Sequence, residues 1–145
     1  MIRLSPIAAA FAISLTGIVT ATPAAFAQSA AVSVASELPS GTFIKKKKKL
    51  KGAWEVVQRG DKTFIVFDDD FRAANGPDLK IFLSPQTVAD VTGKTAINGA
   101  INIGELKATK GTQEYEVPAG VNLADFNSVL VHCEAYSVLW GGGDL

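Results

Sequence analysis

The sequence has few of the side chains that metal sites and redox centres usually require. Its 145 residues include one cysteine, Cys133, and one histidine, His132. This excludes a structural zinc site with four Cys and His ligands, a C-x-x-C redox pair and the covalent attachment of a c-type haem. No G-x-S-x-G segment accompanies His132 to support a serine-hydrolase triad. We therefore expect neither a metal site nor an enzymatic activity.

The chain also lacks a net charge, because its 14 basic and 14 acidic residues cancel. Proteins that bind nucleic acids through a general electrostatic surface are usually strongly basic, so we expect no nucleic-acid partner. The charges are nevertheless unevenly distributed. Six lysines lie close together, whereas from Gly52 onward there are 7 basic and 13 acidic residues. We call these six lysines the lysine run: Lys45, Lys46, Lys47, Lys48, Lys49 and Lys51.

The apolar run near the N-terminus is too short for a membrane-spanning helix, which needs about 20 residues. This run, residues 7–19, follows Arg3 and precedes Ala25-Phe26-Ala27, a small-x-small cleavage sequence. The pattern predicts a cleavable signal peptide at residues 1–27. The protein would then be exported, periplasmic or secreted, with no transmembrane span after cleavage. The alternative is an uncleaved N-terminal membrane anchor.

No segment shows a sustained helical period, and short β-type runs are present instead. Residues 28–39 are small and rich in Ser and Ala, which predicts a flexible leader. From residue 40 to residue 145, turn signals separate short apolar or alternating runs, and this predicts an all-β fold. We expect an antiparallel β-sandwich of about seven to nine short strands. The clearest predicted strands are Thr63–Phe67, Leu79–Leu83, Ala100–Leu106, Gln113–Val117, Val129–Ala135 and Val138–Trp140, with Val88–Ala100 as a loop and Gly141–Gly143 following the last strand.

The lone cysteine leaves no disulfide within the chain, so apolar burial must stabilise the fold. Large aromatic side chains supply most of the surface for such a core. The predicted core aromatics are Phe43, Trp54, Phe64, Phe67, Phe71, Phe82, Tyr115, Phe126 and Trp140.

Several short motifs follow one another in a fixed order. They are Ser40-Gly41-Thr42-Phe43, Asp70-Phe71 with Gly76-Pro77-Asp78-Leu79, Leu106-Lys107, Gly111-Thr112-Gln113-Glu114-Tyr115, Val117-Pro118, Ser128-Val129, His132-Cys133 and Gly143-Asp144-Leu145. Taken together, residues 40–145 resemble the DM-thirteen electron-transfer domain family. The chain departs from the family pattern after Phe43, where it carries the lysine run.

The resemblance implies a small β-sandwich module associated with redox chains. In that family the near-terminal cysteine is proposed either as a naked thiol or as the anchor of a prosthetic group. The cofactor therefore stays unknown, since a haem or another group is compatible with the sequence and none is required. For this chain the resemblance implies an exported redox-associated accessory or electron-transfer module. The alternative is a non-catalytic extracytoplasmic binding module with a structural, buried cysteine.

Cys133 and His132 are the candidate redox or ligand residues. Residues alternate between the two faces of a strand, so Cys133 lies on one face with Val129 and Val131, and His132 lies on the other. Cys133 is either an accessible redox thiol or a buried thiol that behaves as a small hydrophobe. His132 is either a haem or metal ligand or a solvent-facing residue beside Glu134.

The acidic segment Asp68–Asp70, with Asn75 and Asp78, permits a calcium interpretation because Ca²⁺ prefers oxygen ligands. Its spacing does not match an EF-hand loop. The motif Gly76, Pro77 and Asp78 instead predicts a tight reversal before the Leu79 strand.

The lysine run has three interpretations. It blocks edge-to-edge association of a sheet, it forms a solvated loop, or it is a docking patch. As a docking patch it would attract an acidic redox partner or an anionic surface.

Overall fold

The alternating and β-branched runs of the sequence form strands. The structure, a computed structural model, describes residues 37–145, so the predicted signal peptide and most of the leader lie outside the described residues. The strands are β1 (Ser40–Thr42), β2 (Ile44–Lys45), β3 (Leu50–Lys51), β4 (Ala53–Arg59), β5 (Lys62–Phe67), β6 (Arg72–Ala73), β7 (Leu79–Ser84), β8 (Ile101–Glu105), β9 (Gln113–Glu116), β10 (Ser128–Cys133) and β11 (Val138–Asp144). The helical content of this region is one 3₁₀ turn, Leu123–Asp125.

These strands confirm the all-β prediction, but they number eleven rather than seven to nine. Three of them, β2, β3 and β6, have only two residues each, too few for a period-two pattern to be visible in a sequence. Within residues 37–145, no helix has the length and apolar character needed to cross a membrane.

The strands form two main antiparallel sheets. The first sheet has the order β1-β4-β5-β9, and the second has the order β2-β11-β10-β7-β8. A separate two-stranded pair joins β3 to β6. In the first sheet Trp54 lies opposite Phe67. In the second sheet β10 is central, between β7 and β11.

The main core lies between the two sheets. Trp54, Phe67 and Tyr115 come from the first sheet and Ile81 and Val131 from the second, and all five belong to one cluster of buried residues. Edge-on and tilted aromatic contacts organise its centre. The ring centroid of Phe67 lies 4.8 Å from that of Phe43, 4.8 Å from that of Phe71 and 5.2 Å from that of Tyr115.

Most of the predicted core aromatics are buried, and two are not. Phe64 and Phe126 are only partly covered. Phe64 alternates with the core residues Ile65 and Phe67 along β5, and its ring lies under the guanidinium group of Arg59 at 4.9 Å. The sequence run Thr63–Phe67 does not reveal which of its aromatic rings faces the core.

A second apolar cluster covers the outer face of the second sheet. The loop predicted at residues 88–100 forms successive turns, and it places Val88, Val91 and Ala96 over Phe82 and Leu130. Consequently, all six residues of β10 are buried.

The three glycines Gly141–Gly143 lie within β11, although the sequence suggested that they follow a strand. A Cβ atom on Gly143 would lie 1.9 Å from Nε1 of Trp54, and one on Gly142 would lie 2.5 Å from the carbonyl oxygen of Val129. β11 therefore needs glycine at these positions, because the ring of Trp54 and the backbone of β10 approach it too closely for a side chain.

The packing of β5 gives a matched pair of stability predictions. Replacing Phe67 with Ala removes a fully buried ring and should lower the free energy of unfolding by about 3–5 kcal/mol. Phe64→Ala, on the other face of the same strand, should cost less than half as much. Urea denaturation of both variants measures the difference. Equal losses would contradict the assignment of the two rings to different faces.

Candidate functional site

Cys133 is the last residue of β10, and its side chain belongs to the main core. It is 0% exposed, and its cross-strand neighbours are Leu79 on β7 and Val138 on β11. It shares the core with Val129 and Val131, as the predicted alternation requires. The thiol is therefore shielded from solvent in the closed structure.

His132 lies on the opposite face of β10 and is also 0% exposed. Its Nε2 lies 2.7 Å from the carbonyl oxygen of Gly93, and because a carbonyl only accepts, Nε2 carries the proton and donates it. Its Nδ1 is buried without a hydrogen-bond partner, and its ring meets the ring of Phe82 edge-on at 5.9 Å. The solvent-facing alternative for His132 is wrong because the loop of residues 85–100 covers this face of the sheet.

The surroundings of these two residues do not fit a haem or a similar prosthetic group. The side chain of Cys133 is enclosed by the main core, and the Nε2 atom of His132 is already occupied by Gly93. The two side chains also point away from each other, on opposite faces of the strand. A large planar group would therefore have to displace packed apolar residues on either face.

Three charged residues hold the turn that follows Cys133, and we call Asp78, Lys80 and Glu134 the polar clasp. The amide of Ala135 donates to Oδ2 of Asp78 at 3.0 Å, and the amide of Glu134 donates to the carbonyl oxygen of Asp78 at 3.0 Å. The ammonium group of Lys80 pairs with Oδ1 of Asp78 at 3.3 Å and with the carboxylate of Glu134. The clasp thus joins the start of β7 to the end of β10.

The turn itself, residues 134–137, has little apolar packing. All four of its residues are exposed, with Tyr136 at 70%. Ser137 has a φ of 50°, a left-handed conformation that costs a residue with a side chain some energy. The hydrogen bonds that the ammonium group of Lys80 donates to Glu134 and to Asp78 raise the pKa of Lys80. Polar contacts rather than burial keep this turn closed.

The motif Gly76, Pro77 and Asp78 forms the predicted reversal before β7. A Cβ atom on Gly76 would lie 2.9 Å from the ring of Trp140 and 3.1 Å from the side chain of Leu79, so only glycine leaves them room. Nε1 of Trp140 donates to the carbonyl oxygen of Ala74 at 2.9 Å. A polar cleft of about 370 Å³ separates residues 76–79 from residues 105–109. The motif therefore positions Asp78 for the clasp.

The lysine run lies at the edge of the second sheet. Lys45 ends β2, the terminal strand of that sheet, and the amides of Lys46 and Lys47 continue its pairing by donating to the carbonyl oxygens of Trp140 and Leu139 at 2.8 and 3.3 Å. Apart from the half-buried Lys46, the lysine side chains are exposed. The edge-blocking interpretation is consistent with this position.

Between the lysine run and the covering loop lies a hollow of about 350 Å³. It is lined by Lys45–Lys47, Thr92 and Gly93, and by small parts of Val91 and Leu139, which are 2% and 1% exposed. We call it the lysine-rimmed hollow. The hollow is not recognisable from the sequence because its two sides are more than forty residues apart in the chain.

The acidic segment Asp68–Asp70 forms a turn after β5, with one oxygen of each carboxylate within 4.8 Å of the others. Asp78 is engaged in the polar clasp. The guanidinium group of Arg72 donates to the carbonyl oxygens of Asp69 and Phe71, each at 2.7 Å, which fastens the same segment. The hydrogen bonds of Arg72 and the position of Asp68–Asp70 after β5 are consistent with a turn.

Comparison with known proteins identifies a family. Residues 42–142 match the sequence model of a family described as Electron transfer DM13. No curated protein and no solved structure matches the chain. The matched range includes the lysine run, the polar clasp, His132 and Cys133.

The buried position of Cys133 predicts slow reaction with a thiol reagent in the native protein and complete reaction in denaturant. Asp78→Ala removes the clasp contacts made by its carboxylate, and a loss of hydrogen bonds worth about 1.4 kcal/mol should speed native labelling about tenfold. Asp61→Ala, an exposed acid in the β4–β5 turn, should leave the rate unchanged.

Labelling is followed by mass spectrometry of the intact protein. A Cys133→Ala variant carrying Ala119→Cys at an exposed position gives the rate of an unprotected thiol. If native Cys133 reacted as fast as this control, the closed arrangement of the turn would be incorrect.

Proposed function

The chain belongs to the DM13 electron-transfer family, and from this we propose that it is an exported, non-catalytic redox accessory module whose reactive group is the thiol of Cys133. The observation that carries the proposal is the position of this lone cysteine. It ends a central strand, and the turn that follows it is held by the polar clasp rather than by apolar packing. A thiol in such a position is protected at rest and becomes reactive when the turn opens.

The chemistry we propose is thiol–disulfide exchange with a partner that carries a disulfide. After the turn opens, the Cys133 thiol loses its proton to water, and the thiolate attacks one sulfur of the partner's disulfide. The partner's S–S bond breaks, a mixed disulfide forms, and the partner's second sulfur leaves as a thiolate. A glutathione thiolate then attacks the Cys133 sulfur of the mixed disulfide, and the partner leaves with both of its sulfurs reduced. A second glutathione thiolate attacks the glutathione sulfur now bonded to Cys133, which restores the Cys133 thiolate and releases oxidised glutathione, so two electrons have passed from two glutathione thiols to the partner.

The lysine run supplies a docking surface near this group. Leu139, which lines the lysine-rimmed hollow, is the cross-strand partner of His132, and Gly93 at its rim accepts the hydrogen bond of His132. His132 and Cys133 are consecutive residues, with Cα atoms about 3.8 Å apart. A partner bound at the hollow would therefore lie on the His132 face of β10, opposite the face that carries the thiol, and would reach the thiol only past the turn of residues 134–137. Electrostatic steering by exposed lysines suits the weak, brief encounters typical of redox partners.

Export supports a redox role for a single thiol, because disulfide-bearing partners persist outside the cytoplasm. The proposal places cleavage after Ala27, so the mature chain should begin at Gln28. N-terminal sequencing of the exported protein checks this expectation. A chain that still began at Met1 would contradict export by cleavage.

The redox proposal is tested by equilibrating the folded protein with mixtures of oxidised and reduced glutathione. We expect one glutathione adduct on Cys133 that forms and reverses with the ratio of the two, and faster formation in the Asp78→Ala variant. A Cys133→Ser variant should form none. Intact-mass measurement after acid quenching gives the adduct fraction, and circular dichroism confirms that the protein remains folded.

A second candidate function follows from the complete burial of Cys133. In it the chain is an extracytoplasmic binding module, and Cys133 is a small core hydrophobe. A folded protein that formed no adduct under any glutathione ratio, in wild type and in Asp78→Ala, would overturn the redox proposal and favour this alternative.

A further inference from the structure

The covering loop is fastened to the second sheet unevenly along its length. Its first part is anchored to β11, because the amide of Val88 donates to Oδ1 of Asp144 at 2.6 Å. Its middle, residues 91–97, has a weaker hold. In the described part of the chain, the hydrogen bond from Nε2 of His132 to the carbonyl oxygen of Gly93 is the one hydrogen bond that joins this middle segment to the sheet.

The apolar contacts of the middle segment are also small. Val91 and Ala96 are its buried members in the second apolar cluster, and Ile97 packs against that cluster while partly exposed. The hydrogen bond of His132 therefore carries much of the attachment, and its persistence depends on the state of the ring.

Only a neutral ring suits this enclosed position. His132 is 0% exposed, its Nε2 donates to Gly93, and its Nδ1 has no hydrogen-bond partner. In a protonated imidazole both nitrogens are donors. The added N–H on Nδ1 would then be buried without an acceptor, together with a positive charge, and both are costly away from water. In contact with water the same groups are hydrated.

The charged groups of the neighbouring strands do not compensate for this cost. Lys80 on β7 lies directly opposite His132 in the sheet, so its side chain shares the same face of the sheet. The carboxylates of Asp78 and Glu134 pair with the ammonium group of Lys80. From β11 the apolar Leu139 faces the ring side of the sheet. Within the described residues, no ion pair includes His132.

The covering loop offers the ring no free carboxylate either. Its charged residues Asp90 and Lys94 are exposed, and Asp90 accepts a hydrogen bond from Oγ1 of Thr87 at 2.7 Å. The lysine run adds a further cation at the loop, since the ammonium group of Lys46 donates to the carbonyl oxygen of Ala89 at 3.3 Å. A proton on the buried ring would thus join existing positive charges.

From this geometry we propose that His132 makes the middle of the covering loop sensitive to acid, because protonation of the ring is coupled to release of residues 91–97 from the sheet. An exposed histidine has a pKa of about 6.5. A proton that binds only the released form shifts the equilibrium towards release as the pH falls. The cover is therefore stable above about pH 6.5 and is progressively lost below it.

Release would uncover the apolar outer face of the second sheet around Phe82 and Leu130. The first part of the loop would stay attached through Asp144. The proposal concerns the face of β10 opposite Cys133, so it does not rest on the redox function.

The test is hydrogen exchange of the full mature protein at about pH 7.5 and about pH 5.5, on either side of the ordinary histidine pKa. Each rate is divided by the intrinsic exchange rate at that pH. The amides of Ala96 and Asn98, which donate within the loop to the carbonyl oxygens of Thr92 and Thr95, report on release. Uptake of one proton predicts that their protection falls about tenfold between the two pH values. His132 is the single histidine of the chain, so no other imidazole contributes.

The strands β4 and β5 provide an internal control, because they belong to the first sheet and the covering loop packs on the second. Their amides should keep their protection at both pH values. Protection of the loop that did not change with pH would overturn the inference. An equal loss in β4 and β5 would also overturn it, because acid would then act on the whole fold.

Variants assign the effect to the ring. His132→Gln can still donate to Gly93 but binds no proton in this range, so the pH dependence should disappear, and His132→Phe should abolish it as well. Asp90→Asn, which removes an exposed titratable group from the same loop, should retain the tenfold change. A pH dependence that persisted in His132→Gln would overturn the inference. If both substitutions of His132 prevented folding, the comparison of the loop with β4 and β5 in the wild type would still decide.

Discussion

The burial of β10 on both faces is the constraint on which the rest of the structure depends. A strand in a two-layered β protein usually buries one face and exposes the other, but here all six residues from Ser128 to Cys133 are buried. The first sheet covers one face of β10, and the loop of residues 85–100 covers the other. The position of Cys133, the enclosure of His132 and the existence of the lysine-rimmed hollow all follow from this double cover.

The apolar patterning of the sequence predicts most of this architecture. A β-branched and aromatic run predicts the strand around Ile65, and alternation predicts the strands around Ile81 and Val131. Alternation also places Val129, Val131 and Cys133 on one face of β10. Alternation also puts His132 on the other face, but it does not tell whether that face meets water or protein. The covering loop contributes Val88, Val91 and Ala96 at irregular spacing, so no periodic signal marks it as part of a core.

The polar clasp and the hollow could not be predicted from the sequence, because each depends on contacts between distant parts of the chain. Lys80 and Glu134 are 54 positions apart, and only the pairing of β7 with β10 brings them together. The hollow needs β2 beside β11, and β2 has two residues, too few to show a pattern. The glycines of β11 resemble a turn in sequence, because their function is to leave space for Trp54. Local propensity does not encode contacts between distant residues. The sequence therefore predicts where the strands lie better than which strands pair with one another.

The way the turn after Cys133 is fastened bears on both candidate functions. The core residues that enclose the Cys133 side chain are stabilised by burial, and their separation requires part of the core to loosen. Exposed ion pairs and a few hydrogen bonds contribute far less, because water competes for them. The proposed redox function requires this turn to open without global unfolding. A thiol that alternates between protection and reaction, as the proposed redox function requires, would use such an arrangement, whereas the alternative binding module does not require it. Gly93, which lines the hollow, closely approaches the carbonyl oxygen of Ser137, so a partner bound at the hollow would lie close to this turn, on the face of β10 opposite the thiol.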